Sequence, residues 1–471
     1  MKQVDVRKAY VDSVTLMQVS RRVADLDGVG AALVAMATDL NLELAAGMGF
    51  DVPSGTSGND MLVALDVASE EVLVSARAEV DAALAAASRP SAGGFGDAPA
   101  PLTMRAAVRE VDAETAVALV STPGQYAFAD ALDAVDAGLL TMVFSDNVPV
   151  AQEVALKRRA ASTGALVMGP DCGTAVVGGV GLGFANVVRP GPVGIVAASG
   201  TGAQHLLALL DGAGIGVSHC LGVGGRDLST DVGGLSTLRA LDLLDADPET
   251  DLVVVISKPP AAEVAEKVRA HATSLGTRVV FGLLGPGQPD LTATAASVVD
   301  AAGGTWTAPE HWSGAVPARR GQGALTGLFV GGTMRDEARL VAAEVLGVEP
   351  ATLEMVDFGD DDYTRGRPHP MIDGSLRLER IERAVDDPSC GVLLLDVVLG
   401  LGSDPDPTSG LVEAVRRATS AGLPVVVSVI GTRDDPQDLR RTAGALNDAG
   451  AAVFLSNAAA ARTAADLAGA S

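Results

Sequence analysis

The sequence predicts an α/β protein of several domains, built largely on parallel sheets. Three observations predict it. Continuous apolar runs alternate with amphipathic stretches, the signature of strands covered on both faces by helices. Glycine is abundant (55 residues) while aromatics are 3%, which suits Gly-turned, Ala/Val/Leu-packed βα units better than an aromatic-rich sandwich. The chain has 471 residues, and at about 100–200 residues per domain it needs several cores.

In chain order, residues 1–88 read as a small α/β domain. Residues 13–19 (SVTLMQV) read as a strand, 20–27 as helical, 31–37 and 61–68 as strands, and 69–87 as a long helix. Residues 89–100 (RPSAGGFGDAPA) are the clearest linker. Residues 101–190 form a second, Rossmann-like domain, with strands at 116–121, 140–144 and 166–168 and helices between them. The pattern restarts in 191–305, with strands at 192–197 and 252–256. A connection over 306–319 leads to 320–471, with strands at 325–330, 392–398 and 425–430.

The net charge of −25 opposes nucleic acid and anionic membrane surfaces as partners, so a bound anion must be held by local dipoles and a few cations. The N-terminus has no apolar signal core, and no run of 18 apolar residues exists. Cys172, Cys220 and Cys390 are too few and too scattered for a disulfide framework. The five histidines make no zinc spacing, so no metal is expected. The expected compartment is the cytoplasm.

Chemistry concentrates in glycine turns. An apolar strand runs into Ser199, Gly200, Thr201 and Gly202, and a helix follows. Free N–H groups at such a helix start, with two hydroxyls, make an anion cradle. The same residues also read as an ordinary helix cap. Gly331, Gly332 and Thr333 repeat the design in the last domain, so two helix starts could face one phosphate. Arg226, in a third glycine turn, suits a bidentate anion or a surface pair with Asp227. Lys258, one of five lysines, stands at the carboxyl end of an apolar strand, where open α/β sheets bind ligands. A plain strand-end lysine is the alternative. In the polar 357–370 stretch, Arg365, Arg367 and His369 alternate with Gly and Pro and can converge. A solvated acidic loop is the other reading. Cys172 reads as a buried structural thiol.

The stretches Phe144-Ser145-Asp146-Asn147-Val148, 168–174, 198–202, 224–229, 255–260 and 359–373, in this order, resemble the FdrA family of the succinyl-CoA synthetase superfamily over almost the whole chain. The resemblance implies that 101–305 is similar to a synthetase α subunit, a CoA-binding-type Rossmann-like domain and a flavodoxin-like domain. It implies that 320–471 is similar to the flavodoxin-like carboxyl-terminal domain of the β subunit, without its ATP-grasp domain. Synthetases carry phosphate on a histidine in a Gly-His-Ala-Gly-type motif. The matching stretch 281–292 (FGLLGPGQPDLT) has no histidine, and the glutamate that steadies the phosphohistidine falls near Lys258. No phosphohistidine is expected.

The FdrA family is associated with anaerobic allantoin breakdown. The resemblance implies one subunit of an oligomeric oxamate carbamoyltransferase, converting oxalurate and phosphate to oxamate and carbamoyl phosphate beside other protein subunits. Phosphate falls to Ser199, Gly200, Thr201, Gly202, Gly331, Gly332 and Thr333. Lys258, Arg226, Arg365, Arg367 and His369 are candidates for the substrate carboxylate, the carbamoyl oxygen or proton transfer. Two other readings stand beside this one. An acyl-CoA synthetase or CoA transferase would hold CoA at Thr122, Pro123, Gly124, Ser145 and Asn147. A non-catalytic scaffold would use the glycine turns only as caps.

Overall fold

The computed structural model describes residues 1–87, 101–111, 116–314 and 323–469. The linker expected at 89–100 and residues 315–319 of the connection expected at 306–319 lie outside them. The chain divides into two compact units, one of residues 1–100 with 359–373, the other of 101–358 with 374–471.

The first unit contains β1 (Lys2–Arg7), α1 (Ser13–Ala24), β2 (Val29–Met36), α2 (Asp39–Gly47), β3 (Met61–Val67) and α3 (Glu70–Ala87). Its antiparallel sheet has the order β1-β3-β2. The pleat of β3 sends Met61, Val63, Leu65 and Val67 to a core under α1 and α3, and Leu62 and Ala64 to a second core with Ala45 and Phe50. The strand expected at 13–19 is the first half of α1. Leu16, Val19 and Val23 are buried at helical spacing, and Asp12 caps the helix by accepting from Thr15 N at 2.8 Å. That periodicity outweighs the β-branched Val14, Thr15 and Val19.

The second unit opens with α4 (Met104–Ala107), β4 (Val117–Val120), α5 (Gly124–Asp136), β5 (Leu140–Val143), α6 (Val150–Thr163) and β6 (Val167–Met168), on a parallel sheet ordered β4-β5-β6. Next come β7 (Thr174–Val177), β8 (Val180–Gly183), β9 (Pro190–Ala198), α7 (Gly200–Gly212), β10 (Val217–Gly222), α8 (Leu235–Ala246), β11 (Leu252–Ser257), α9 (Ala262–Ala272), β12 (Arg278–Leu283) and α10 (Leu291–Ala301). Their sheet runs β12-β11-β9-β10-β7-β8. The hairpin β7–β8 hydrogen-bonds into this sheet through β10, although it precedes the boundary expected at 190.

The last sheet, β13-β18-β17-β16-β14-β15, is made by β13 (His311–Trp312), β14 (Ala324–Phe329), β15 (Glu354–Asp357), β16 (Cys390–Val398), β17 (Val425–Ile430) and β18 (Ala452–Phe454). The helices around it are α11 (Gly332–Leu346), α13 (Ser375–Asp386), α14 (Leu411–Ser420), α15 (Leu439–Asp448) and α16 (Asn457–Gly469). The short α12 (Asp361–Thr364) belongs to the first unit. Every residue of β11, β16 and β17 is buried, as doubly covered parallel strands require. The two six-stranded sheets are tied by buried hydrogen bonds. Gln204 Nε2 donates to Leu399 O at 3.1 Å, and Asn186 Nδ2 to Asp435 Oδ2 at 2.7 Å. Among the described residues no helix is long and apolar enough to cross a membrane.

Candidate functional site: two facing helix starts

Strand β9 ends at Ala198, and the next residue, Ser199, caps α7. Its backbone is extended and its Oγ accepts from Gly202 N at 2.9 Å. Strand β14 ends just before Gly331, which begins α11 with no side-chain cap. The two starts meet: Ser199 Oγ and Thr333 Oγ1 share a buried hydrogen bond of 2.6 Å. The glycines make this approach possible. A Cβ on Gly331 would lie 2.8 Å from the Thr201 side chain, and one on Gly202 would lie 3.0 Å from Thr333 Cγ2. At Gly200, by contrast, a Cβ would make only ordinary contact, with Thr174 Oγ1 at 3.7 Å as its nearest neighbour.

Lys258 follows β11 and reaches the same place. A Cβ on Gly332 would stand 2.9 Å from Lys258 Nζ and 2.4 Å from Asp357 Oδ2. Among the described residues Lys258 has no hydrogen-bond or ion-pair partner, so its ammonium is available to an anion. The structure thus brings together all seven residues expected at phosphate and Lys258.

Two carboxylates that sequence reasoning missed also stand there. Asp396, on β16, accepts from Val330 N at 2.7 Å and Gly331 N at 3.0 Å. Burial pushes it up to about 6, while buried Arg377, whose Nη1 lies 3.2 Å from Oδ1, pulls the other way. Asp357 is the last residue of β15. The signal for both was their position at strand carboxyl ends in the last sheet.

Arg226 is engaged elsewhere. Its Nε donates to Glu153 Oε2 at 3.1 Å and its Nη2 to Val148 O at 2.8 Å, so it pairs with Glu153 and not with Asp227, while part of its side chain stays exposed. Lys157, buried on α6, donates to Glu153 Oε1 (2.8 Å), Asp227 Oδ1 (2.8 Å) and Val223 O (2.9 Å). Asp227 in turn accepts from Ser236 N and Thr237 N at the start of α8. This four-charge cluster fixes the 222–227 turn against α6.

Arg365, Arg367 and His369 belong to the first unit and are not gathered with Lys258 in one compact body. There Arg367 Nη1 donates to Asn41 Oδ1 at 3.3 Å, and buried Asn41 donates to Gly366 O at 3.0 Å. His369 Nδ1 accepts from Met371 N at 3.2 Å, and burial holds its imidazole down to about 4. Cys172 is buried and its thiol is pushed up to about 12, which fits a structural role.

At the turns expected for CoA, Ser145 Oγ donates to Thr122 O, and Gly124 sits against the Asp146 carbonyl where a Cβ would stand only 2.1 Å away. Pro123 gives α5 no side-chain cap, so the first N–H groups of that helix have no side-chain acceptor. The 281–292 stretch holds no histidine. His205 is buried and accepts from Asn457 N at 3.4 Å, His219 accepts from Gly178 N, His271 pairs with Asp242, and His311 stacks on Phe454.

Comparison with known proteins gives two family matches. Residues 1–101 match the model described as AllF, heavy metal-associated domain, and residues 328–467 match CoA-ligase. The uncharacterized protein YahF of Escherichia coli K12 is 35% identical over 489 residues, covering 94% of this chain and 93% of that protein. Subunit alpha 2 of the ADP-forming succinate–CoA ligase of Archaeoglobus fulgidus is 32% identical over 161 residues, covering 33% of this chain and 54% of that subunit. The solved dinucleotide-forming acetyl-coenzyme A synthetase 1 of Ca. Korarchaeum cryptofilum (apo form) aligns over 80% of this chain and 87% of its own, at 18% identity and a TM-score of 0.33.

The first match raises a metal, and the residues do not fit one. Residues 1–101 contain neither Cys nor His, the usual thiolate and imidazole ligands of soft and borderline metals. Among the described residues no group of three His, Cys, Asp or Glu could hold an ion.

Proposed function

The chain belongs to the family of Escherichia coli YahF, with an AllF-like N-terminal domain and a succinyl-CoA synthetase-like CoA-ligase domain, and on that premise we propose that it is the phosphate-binding subunit of a carbamoyltransferase exchanging a carbamoyl group between oxamate and phosphate. One observation carries this reading: the hydroxyl pair Ser199–Thr333 closes two helix starts onto each other, with the unpartnered Lys258 ammonium beside Gly332. Helix N-termini and a free ammonium suit a phosphoryl group. The missing histidine removes the carrier on which a nucleotide-driven synthetase depends.

In the direction that consumes oxalurate, an oxygen of hydrogen phosphate attacks the ureido carbonyl carbon. A C–O bond forms, the C–N bond to oxamate breaks, and the phosphate proton passes to the departing nitrogen. Atoms and charge balance without a covalent enzyme intermediate. The N–H groups at the start of α7 orient the phosphate, and Lys258 stabilises the negative charge that gathers on the carbamoyl oxygen. Relatives named as ligase subunits support an assembly with further chains.

The test is calorimetric titration of the purified chain with carbamoyl phosphate, with CoA in parallel. Carbamoyl phosphate binding that disappears in Gly200→Asp, with CoA silent, is the expected result. Binding of CoA alone would overturn the reading.

That second outcome belongs to an acid–CoA ligase. The uncapped start of α5 favours it, because Thr122, Pro123, Gly124, Ser145 and Asn147 would there hold the pyrophosphate of CoA. Bound CoA would supply the thiol that accepts an acyl group.

A further inference from the structure

A cavity of about 310 Å3 opens beside Lys258, between the 225–230 turn and the 257–261 turn. It lies at the carboxyl end of β11, and its size is at the lower end for small-molecule sites. The Ser257 side chain lines it, is buried (3% exposed) and has an Oγ with no hydrogen-bond partner. Such a hydroxyl is costly to leave unpaired and is satisfied by a ligand of matching polarity. The other hydroxyls of the lining are occupied: Thr230 Oγ1 donates to Glu263 at 2.6 Å, and Ser229 Oγ accepts from Val232 N at 3.4 Å. Leu228, Pro259, Pro260 and Ala261 make the remaining wall apolar, and the lining contains one cation, Lys258, and no acid.

We propose that this cavity is the organic-acid subsite, that it takes a small monocarboxylate bearing an uncharged amide or ureido group, and that Ser257 reads that group. The proposal rests on the phosphate reading above, because Lys258 stands between the cavity and the two helix starts. One ammonium already shared with phosphate supports one further negative charge. A second carboxylate on the acid would lie unpaired against Leu228 and the prolines, a costly position for a charge. The subsite therefore rejects dicarboxylates such as succinate and malate, the acids for which the ligase relatives are named.

The test titrates oxamate and, separately, succinate into the full chain saturated with inorganic phosphate. Those two ligands come from opposite sides of the reaction and do not turn over. Oxamate binds and succinate binds at least about 100-fold more weakly. Ser257→Ala weakens oxamate by about fivefold to tenfold, and Gly225→Leu abolishes it. Gly225 has nothing within 4 Å of its Cβ direction, so the leucine fills space without displacing backbone. In both variants phosphate affinity stays within about twofold of the parent, which also shows that the site is folded. Equal binding of succinate, unchanged oxamate affinity in Gly225→Leu, or no oxamate binding to the parent chain overturns the subsite. Absence of phosphate binding, by contrast, overturns the phosphate reading.

Discussion

The starts of α7 and α11 arise from nearly the same strand–glycine–helix design, yet they carry opposite local charge. At α7 the cap is a neutral hydroxyl, Ser199, and Gly200 faces only the Thr174 hydroxyl, 3.7 Å from where its Cβ would stand. At α11 the backbone N–H groups of Val330 and Gly331 are already taken by Asp396, and Asp357 crowds Gly332. In the proposed reaction the first start would attract the anion, and the second would shape the site and limit how much negative charge it holds, with Lys258 as the counterweight. A weakly held phosphoryl group that must leave as product would suit such an asymmetric clamp.

The sharpest way to break this comparison is to give α7 the carboxylate that α11 has. Gly200→Asp lowers carbamoyl phosphate affinity by at least about 100-fold, or about 2.7 kcal/mol, with the fold retained because a Cβ there makes no contact closer than 3.7 Å. Equal affinity would show that α7 is not the attracting start. Next in size is Lys258→Ala, for which calorimetry shows about a 10-fold to 50-fold loss, partly recovered by Lys258→Arg. The reverse change at the other start, Asp357→Asn, tightens phosphate by about threefold to tenfold. A loss of affinity there would mean that the carboxylate acts on the ligand as an acceptor.

The smallest effect is on stability against pH, and it too has opposite signs on the two helices. His205, on α7, is pulled down to about 4 by burial. Between about 6.5 and 4 the unfolded chain binds the proton more readily, so this contribution is lost as pH falls. Glu337, on α11, is pushed up to about 7 by burial. Between 4.5 and 7 the folded chain keeps a proton that the unfolded chain releases, so stability falls as pH rises. The thermal midpoint of His205→Gln therefore falls more steeply with rising pH than that of the parent chain. Glu337→Gln shows the opposite slope. Parallel curves for all three proteins would remove both assignments.

The glycine turns were legible because strand, small residues and helix are contiguous in sequence, and so was Lys258 at the end of an apolar run. The asymmetry was not. Asp396 lies 65 residues beyond Gly331, and only the β14–β16 pairing brings it to that backbone. Lys157 was hidden for a related reason. With Glu153 four residues earlier it reads as a solvated helical pair, and its burial is set by Asp227, 70 residues away. Strand β1 escaped notice because its Lys, Gln, Asp and Arg are those of a sheet edge, partly exposed. Arg365, Arg367 and His369 were placed in the last domain because sequence proximity to β15 says nothing about long-range packing.

That last placement has a consequence for biosynthesis. The N-terminal unit includes 359–373, where Gly366 closes on Thr38 and Asn41. It therefore remains incomplete on the ribosome until roughly 260 further residues have been made, roughly 10–50 s at ordinary elongation rates. The second unit likewise reaches beyond that segment to its own closing helix α16. The first body is completed at residue 373, and the second only when α16 follows, roughly 100 residues later. A truncated product ending before residue 359 would carry neither of them whole.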